Sequence, residues 1–164
     1  MSVIVVMGVS GSGKTTVGSA LAETLGVEYA EADAFHPRAN IEKMSAGVPL
    51  TDEDRAPWLE AIAGWIREHQ ATGGVVTSSA LKRRYRDVLR SGGDVWFAHL
   101  DGDREILAER MKSRSGHFMP VSLLDSQLAD LEPLEPGEHG EVFDIRLSPE
   151  DLTQAALTAF RGQA

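Results

Sequence analysis

The sequence predicts an α/β fold in three layers, a parallel sheet with helices on both faces. Three observations lead there. Short apolar runs alternate with helical patterns along all 164 residues, the pattern of repeated βα units. Three of those runs are continuous β-branched or aromatic stretches, as expected of strands buried on both faces. And the first run passes through a glycine-rich turn directly into a helical pattern. A chain of this length is expected to form a single domain spanning 1–164, with a sizeable core that needs no staples.

The first strand is expected at Val3–Met7 and the first helix at Lys14–Leu25, with Gly26 in the C′ position that tolerates a left-handed backbone. A second strand follows at Glu28–Ala30, then a short helix at Ile41–Ala46. Pro57 suits a first helical turn, so the next helix is read as Pro57–Gln70, after a turn over Thr51–Ala56 in which Thr51 and Asp54 make local caps. Val75–Ser78 is the third strand and Leu81–Ser91 the helix after it. Val95–Leu100 is the fourth, with Asp103 as N-cap of a helix over Arg104–Ser113. A helix at Val121–Leu131, a proline- and glycine-rich loop at Glu132–Gly140, a strand at Val142–Leu147 and a helix at Pro149–Phe160 complete the chain.

Composition narrows the function. The chain is 42% hydrophobic and 25% charged, ordinary for a soluble globular protein. Its net charge of −9 and pI near 5.0 argue against nucleic acid as a partner. No apolar run approaches the roughly 20 residues of a membrane span, so no membrane partner is expected. The absence of cysteine excludes disulfides, a thiolate nucleophile and a thiolate metal site. No leader is expected either, because the first strand is not preceded by a basic region and an apolar stretch.

The turn after the first strand reads Gly8-Val9-Ser10-Gly11-Ser12-Gly13-Lys14-Thr15, a complete G-x-x-x-x-G-K-T in its strand–loop–helix context. Glycines let consecutive backbone N–H groups turn inward on phosphate oxygens, and the helix that follows adds its positive end. Lys14 can reach the β- and γ-phosphates, and the Thr15 hydroxyl can ligate magnesium. The chain is therefore expected to bind a nucleoside triphosphate, ATP with Mg2+, through Gly8, Ser10, Gly11, Ser12, Gly13, Lys14, Thr15 and Thr16. A ligand of that kind favours the cytoplasm.

Parallel α/β sheets bind ligands beyond their strand ends, so the residues there carry the rest of the reading. Asp33 follows the second strand. It either orients an acceptor hydroxyl toward the phosphate loop or caps the next helix. Glu31 either assists magnesium through water or is an ordinary strand-end charge. His36 either contacts substrate or is structural, and Arg55 either grips an anion or pairs with its acidic neighbours. In the basic run after the third strand, Ser79, Lys82, Arg83 and Arg86 share a helical face. That face either lines a cleft for an anionic acceptor or is a solvated surface. Arg110 and Arg114, one helical turn apart, with His117 beyond them, either belong to a lid over about 110–135 that closes on the triphosphate or complement a helix end. Asp101 ends an apolar strand in the manner of a Walker B aspartate. The strand beside the phosphate loop is nevertheless expected to be Val75–Ser78, so metal ligation would rest on Thr15, phosphate oxygens and water.

With those residues set out, the chain closely resembles the gluconokinases over nearly its full length. The matching stretches are MGVSGSGKTT, ADAFHPRANIEKMSAGVPLTDEDRAPWL, SSALKRRYRDVLR and RSGHFMPVSLLDSQLADLE. The resemblance implies a P-loop kinase fold like that of nucleoside monophosphate kinases, with five parallel strands in order 2-3-1-4-5, a lid, and a homodimer. It implies transfer of the γ-phosphoryl group of ATP to the 6-hydroxyl of D-gluconate. Lys14, Asp33 and Arg114 would be catalytic, and His36, Arg55, Lys82, Arg86 and His117 would hold the sugar acid. By analogy Arg110 would stack on the base opposite Pro149. Glu31 and Ser78 depart from the family pattern, which often has aspartate and cysteine there. Two other readings remain: a shikimate kinase-like enzyme, though such enzymes usually carry three glycines where this chain has Ser-Ser-Ala-Leu-Lys, and a nucleotide-binding switch without metabolic turnover.

Overall fold

The computed structural model describes residues 2–9, 11–113 and 122–162. Strands β1 (Val3–Met7), β2 (Glu28–Glu31), β3 (Gly74–Thr77), β4 (Val95–Asp101) and β5 (Gly140–Asp144) form one sheet in the order β2-β3-β1-β4-β5. Every pairing is parallel, and Val5 sits between Val76 on one side and Phe97 on the other. The helices described are α1 (Lys14–Leu25), α2 (Arg38–Ser45), α3 (Asp52–Glu68), α4 (Arg83–Arg90), α5 (Arg104–Ser113), α6 (Ser122–Asp130) and α7 (Pro149–Gly162), with a 3-10 turn at Ala32–Phe35.

The side-chain period of two splits β1 between two cores. Ile4 and Val6 join Val17 and Leu21 of α1, Leu107 of α5, Leu124 of α6 and Leu157 of α7. Val3, Val5 and Met7 join Trp58, Ile62 and Ile66 of α3 and Leu89 of α4. Burial on both faces is why this strand has no polar position. Gly18 lets α1 lie close to the sheet, since a Cβ there would stand 2.9 Å from the Tyr29 ring and 3.0 Å from the Thr77 methyl. Gly26 ends α1 at φ 69°, with its N–H on the Ala22 and Glu23 carbonyls.

Three helices start elsewhere than the sequence reading put them; α2 starts at Arg38 rather than Ile41, directly after its N-cap Pro37. Helix α3 starts at Asp52, because Thr51 and Asp54 form a complete capping box: Asp54 N–H donates to the Thr51 hydroxyl at 3.1 Å and Thr51 N–H to the Asp54 carboxylate at 2.9 Å. Pro57 thus lies inside the helix, early enough that little of the hydrogen-bond ladder precedes it. Helix α4 starts only at Arg83, because Ala80 is left-handed (φ 44°) and Lys82 is extended. Ser79 and Lys82 therefore do not share a helical face with Arg83 and Arg86. The last strand also runs earlier than expected, at Gly140–Asp144.

Candidate active site

At the carboxyl ends of β1, β2 and β3 one cavity is lined by Gly11, Gly13, Lys14 and Thr15 of the phosphate loop and by Glu31, Asp33, His36, Arg55 and Trp58. The loop's shape depends on its glycines. Gly11 and Gly13 have φ of 85° and 95°, and a Cβ on Gly11 would stand 2.9 Å from the Leu107 carbonyl. Gly8 has φ 151°, and a Cβ there would meet the Leu100 carbonyl at 2.7 Å. Lys14 folds over the loop, its Nζ donating to the Gly8 carbonyl at 2.8 Å and the Val9 carbonyl at 3.2 Å. Ser12 is buried, and its hydroxyl has no partner among the described residues. Ser12, Thr16 and Arg110 line a second groove with Leu147 and Pro149, on the other side of the loop. Arg110 is held there by a 2.7 Å bond from Nη2 to the Ile145 carbonyl. Ser10, Arg114 and His117 lie outside the described residues, as do residues 114–121 of the expected lid.

Asp33 lies on the 3-10 turn after β2 and does not cap α2, whose N-cap is Pro37. Trp58 fixes that turn from α3: its indole Nε1–H donates to the Ala32 carbonyl at 2.7 Å, and its ring stacks on His36 at 4.2 Å and 11°. Asn40 sets the histidine's tautomer. Its amide nitrogen must face the Asp54 carbonyl, to which it donates at 2.8 Å, and it lies 3.2 Å from His36 Nδ1. Nδ1 therefore accepts, and the ring proton sits on Nε2. Burial pushes His36 down from 6.5 to about 4; Asp33 pulls the other way and Arg55 adds to the lowering. The ring is neutral at pH 7, an Nε2–H donor beside the cavity.

Glu31 accepts from the Tyr29 hydroxyl at 3.0 Å. Glu31 and Thr15 present hard oxygen donors to the same cavity, a set that suits Mg2+. Among the described residues no group of three His, Cys, Asp or Glu side chains forms a metal cage. Asp101 lies on β4, which also neighbours β1, but it lines a separate surface groove with Asp103, Asp144 and Arg146.

Arg55 makes no ion pair with its acidic neighbours. Its Nη1 donates to the Leu50 carbonyl at 2.9 Å and to the Tyr85 hydroxyl at 3.0 Å, while the side chain lines the cavity. Lys82 does not line it: Nζ lies 3.8 Å from Asp52, which also takes Tyr85 and Arg84. The phenol bond is the main reason the Asp52 carboxyl sits below its usual range. Arg86 corrects the sequence reading outright. It is wholly buried and forks onto Glu138, with Nε at 2.7 Å and Nη2 at 3.0 Å, so it cannot grip an acceptor. Ser126, Gln127 and Asp130 of α6 line the cavity without having been expected there. Their one signal is spacing, since positions 126, 127 and 130 fall on one helical strip.

A family model described as "Shikimate kinase" matches residues 10–131, from the phosphate loop through α6. The gluconokinase of Gluconobacter oxydans (strain 621H) is 55% identical over 158 residues, covering 94% of this chain and 86% of the relative. The crystal structure of an unliganded sugar kinase from Janibacter sp. HTCC2649 is 54% identical with a TM-score of 0.93, covering 98% of this chain and 95% of that one. A gluconokinase structure from Sinorhizobium meliloti 1021 is 47% identical with a TM-score of 0.90, covering 98% of this chain and 91% of that one.

Proposed function

Because the chain belongs to the gluconokinase family, we propose that it transfers the γ-phosphoryl group of ATP to the 6-hydroxyl of D-gluconate, giving 6-phospho-D-gluconate and ADP. The observation that carries this reading is one cavity shared by the phosphate loop and Asp33. Phosphoryl transfer depends on bringing an acceptor oxygen in line with a phosphate held by such a loop.

Lys14 leaves the loop carbonyls and binds the β- and γ-phosphate oxygens. Asp33 orients the 6-hydroxyl and takes its proton as the new O–P bond forms and the bond to the ADP oxygen breaks. Thr15 directly, and Glu31 through water, would hold Mg2+, which supplies charge neutralisation to the phosphates when bound. Arg55 takes the acceptor carboxylate. Among the described residues nothing occupies its Nη2 or Nε, and a guanidinium matches a carboxylate in two bonds. His36 donates from Nε2 to an acceptor hydroxyl, and Asp130 and Gln127 of α6 face the polyol chain. Arg110 with Pro149 forms the base groove, and Arg114 and His117 act from a lid over about 110–135. Homodimeric assembly and a cytoplasmic location belong to the same reading. Among the described residues no helix is long and apolar enough to cross a membrane.

ADP release with Mg-ATP, measured against gluconate, shikimate, glucose, glycerate and no acceptor, tests the proposal. Turnover confined to gluconate is expected. The family-model match favours one second reading, a different hydroxylated carboxylic acid such as shikimate. Turnover with shikimate in place of gluconate would replace the first reading with that one.

A further inference from the structure

Ala80 is the one non-glycine with positive φ among the described residues, at 44°, and it is fully buried. A left-handed alanine is strained, and such a conformation persists only where its surroundings impose it. Here the imposing group is Arg86, whose Nη1 donates to the Ala80 carbonyl at 3.0 Å and the Leu81 carbonyl at 3.4 Å. The turn so fixed supplies Ser78, Ser79 and Leu81 to the acceptor cavity. The Ser78 hydroxyl is buried and has no partner among the described residues.

The other side of Arg86 reaches the segment that follows α6. Nη2 donates to the Pro133 carbonyl at 3.2 Å, and Nε and Nη2 fork onto Glu138. Glu138 also takes Arg90 Nη1 at 3.0 Å and the Glu135 N–H at 2.8 Å. A backbone bond from Glu132 N–H to the Leu81 carbonyl, at 2.7 Å, closes the same junction. One end of this junction is the serine wall of the cavity. The other is the end of α6, which carries Gln127 and Asp130 into it. Burial pushes the Glu138 carboxyl up, but its bonds to Arg86, the Glu135 N–H and Arg90 outweigh this and keep it charged.

We propose that the buried Arg86–Glu138 pair is a positioning device for the acceptor, setting two walls of its cavity at once and leaving the nucleotide groove untouched. A buried ion pair is a poor source of stability, since well-packed apolar residues often do as well. Its presence here is explained by what it holds in register. The nucleotide groove, with Thr16, Arg110 and Pro149, shares none of these bonds.

The inference rests on gluconate being the acceptor, and the test separates the two. Arg86→Lys keeps the charge and loses the fork; Glu138→Gln keeps the shape and loses the charge. Each is assayed below its melting temperature for KM with gluconate and KM with ATP. The gluconate KM is expected to rise about tenfold while the ATP KM stays within about twofold. A folded variant with an unmoved gluconate KM, or with both KM values rising together, overturns the proposal. If neither variant folds, Arg86→Lys combined with Ala80→Gly decides, because glycine takes the left-handed turn without strain while the fork onto Glu138 stays lost. Its gluconate KM is expected to rise because the turn is no longer tied to the segment after α6, and an unmoved KM refutes the role. Wild-type enzyme with gluconate is the control. No turnover there overturns the acceptor reading and this inference with it, whereas normal turnover with unmoved variant KM values overturns this inference alone.

Discussion

Replacing Trp58 by phenylalanine tests how the site is held. Trp58 is 3% exposed, and its only polar atom donates to the Ala32 carbonyl at 2.7 Å, one residue before Asp33. Phenylalanine removes that donor, which costs about 1 kcal/mol for a buried bond. The smaller ring leaves a partly filled space against His36 and the α3 side of the sheet, worth about 1–2 kcal/mol more. Together the loss is about 2–3 kcal/mol, or a fall in Tm of roughly 5–10 °C for a chain of this length. Because the 3-10 turn also carries Asp33, kcat should fall about tenfold even where the protein is fully folded. Urea denaturation followed by far-UV circular dichroism reads the first effect, and initial rates at saturating gluconate and ATP read the second. A variant within about 0.5 kcal/mol of wild type with unchanged kcat would refute the idea that the indole bond holds the turn.

Other perturbations address separate links. Lys14→Ala and Asp33→Ala should each lower kcat at least about a hundredfold in steady-state assays; a near-normal rate removes that residue from the catalytic set. Gly18→Ala drives a methyl into Tyr29 and Thr77 and should destabilise by about 1–3 kcal/mol in denaturant titration. His36, lowered from 6.5 to about 4, takes up its proton earlier when unfolded than when folded. Its contribution to stability is therefore present above about pH 6.5 and is lost as the pH falls toward 4. Tm measured across that window should decline, and His36→Gln should decline less.

The first βα unit was legible because its signals are local: five apolar residues, then glycines where the backbone must take positive φ. The sheet order was not written in any run of residues. It came with the family resemblance, and the structure has the same order. At α3 two local signals competed, and the capping box at Thr51 prevailed over the preference of Pro57 for a first turn. At α4 the sequence misled. Alanine favours helix, and nothing near Ala80 announces a left-handed residue imposed by a side chain six positions on and a carboxylate beyond position 130. Burial of Arg86 was equally hidden, since a basic run reads as solvated surface until its partner is known. The polar strip on α6 was passed over for the same reason.

The position of β1 has a consequence for how the chain is made. It is first in sequence but central in the sheet, and its partners are Gly74–Thr77 and Val95–Asp101. During synthesis Val3–Met7 emerges as a five-residue apolar segment before either neighbour exists. The phosphate loop, whose Gly8 packs against the Leu100 carbonyl, cannot acquire its shape until β4 has been translated. Residues translated before both of their sheet partners are thus among the last to be locked, and until then they form an unpaired edge that invites wrong partners. A nascent chain stalled before Asp101 should engage holding chaperones through this segment, and one released after it should not.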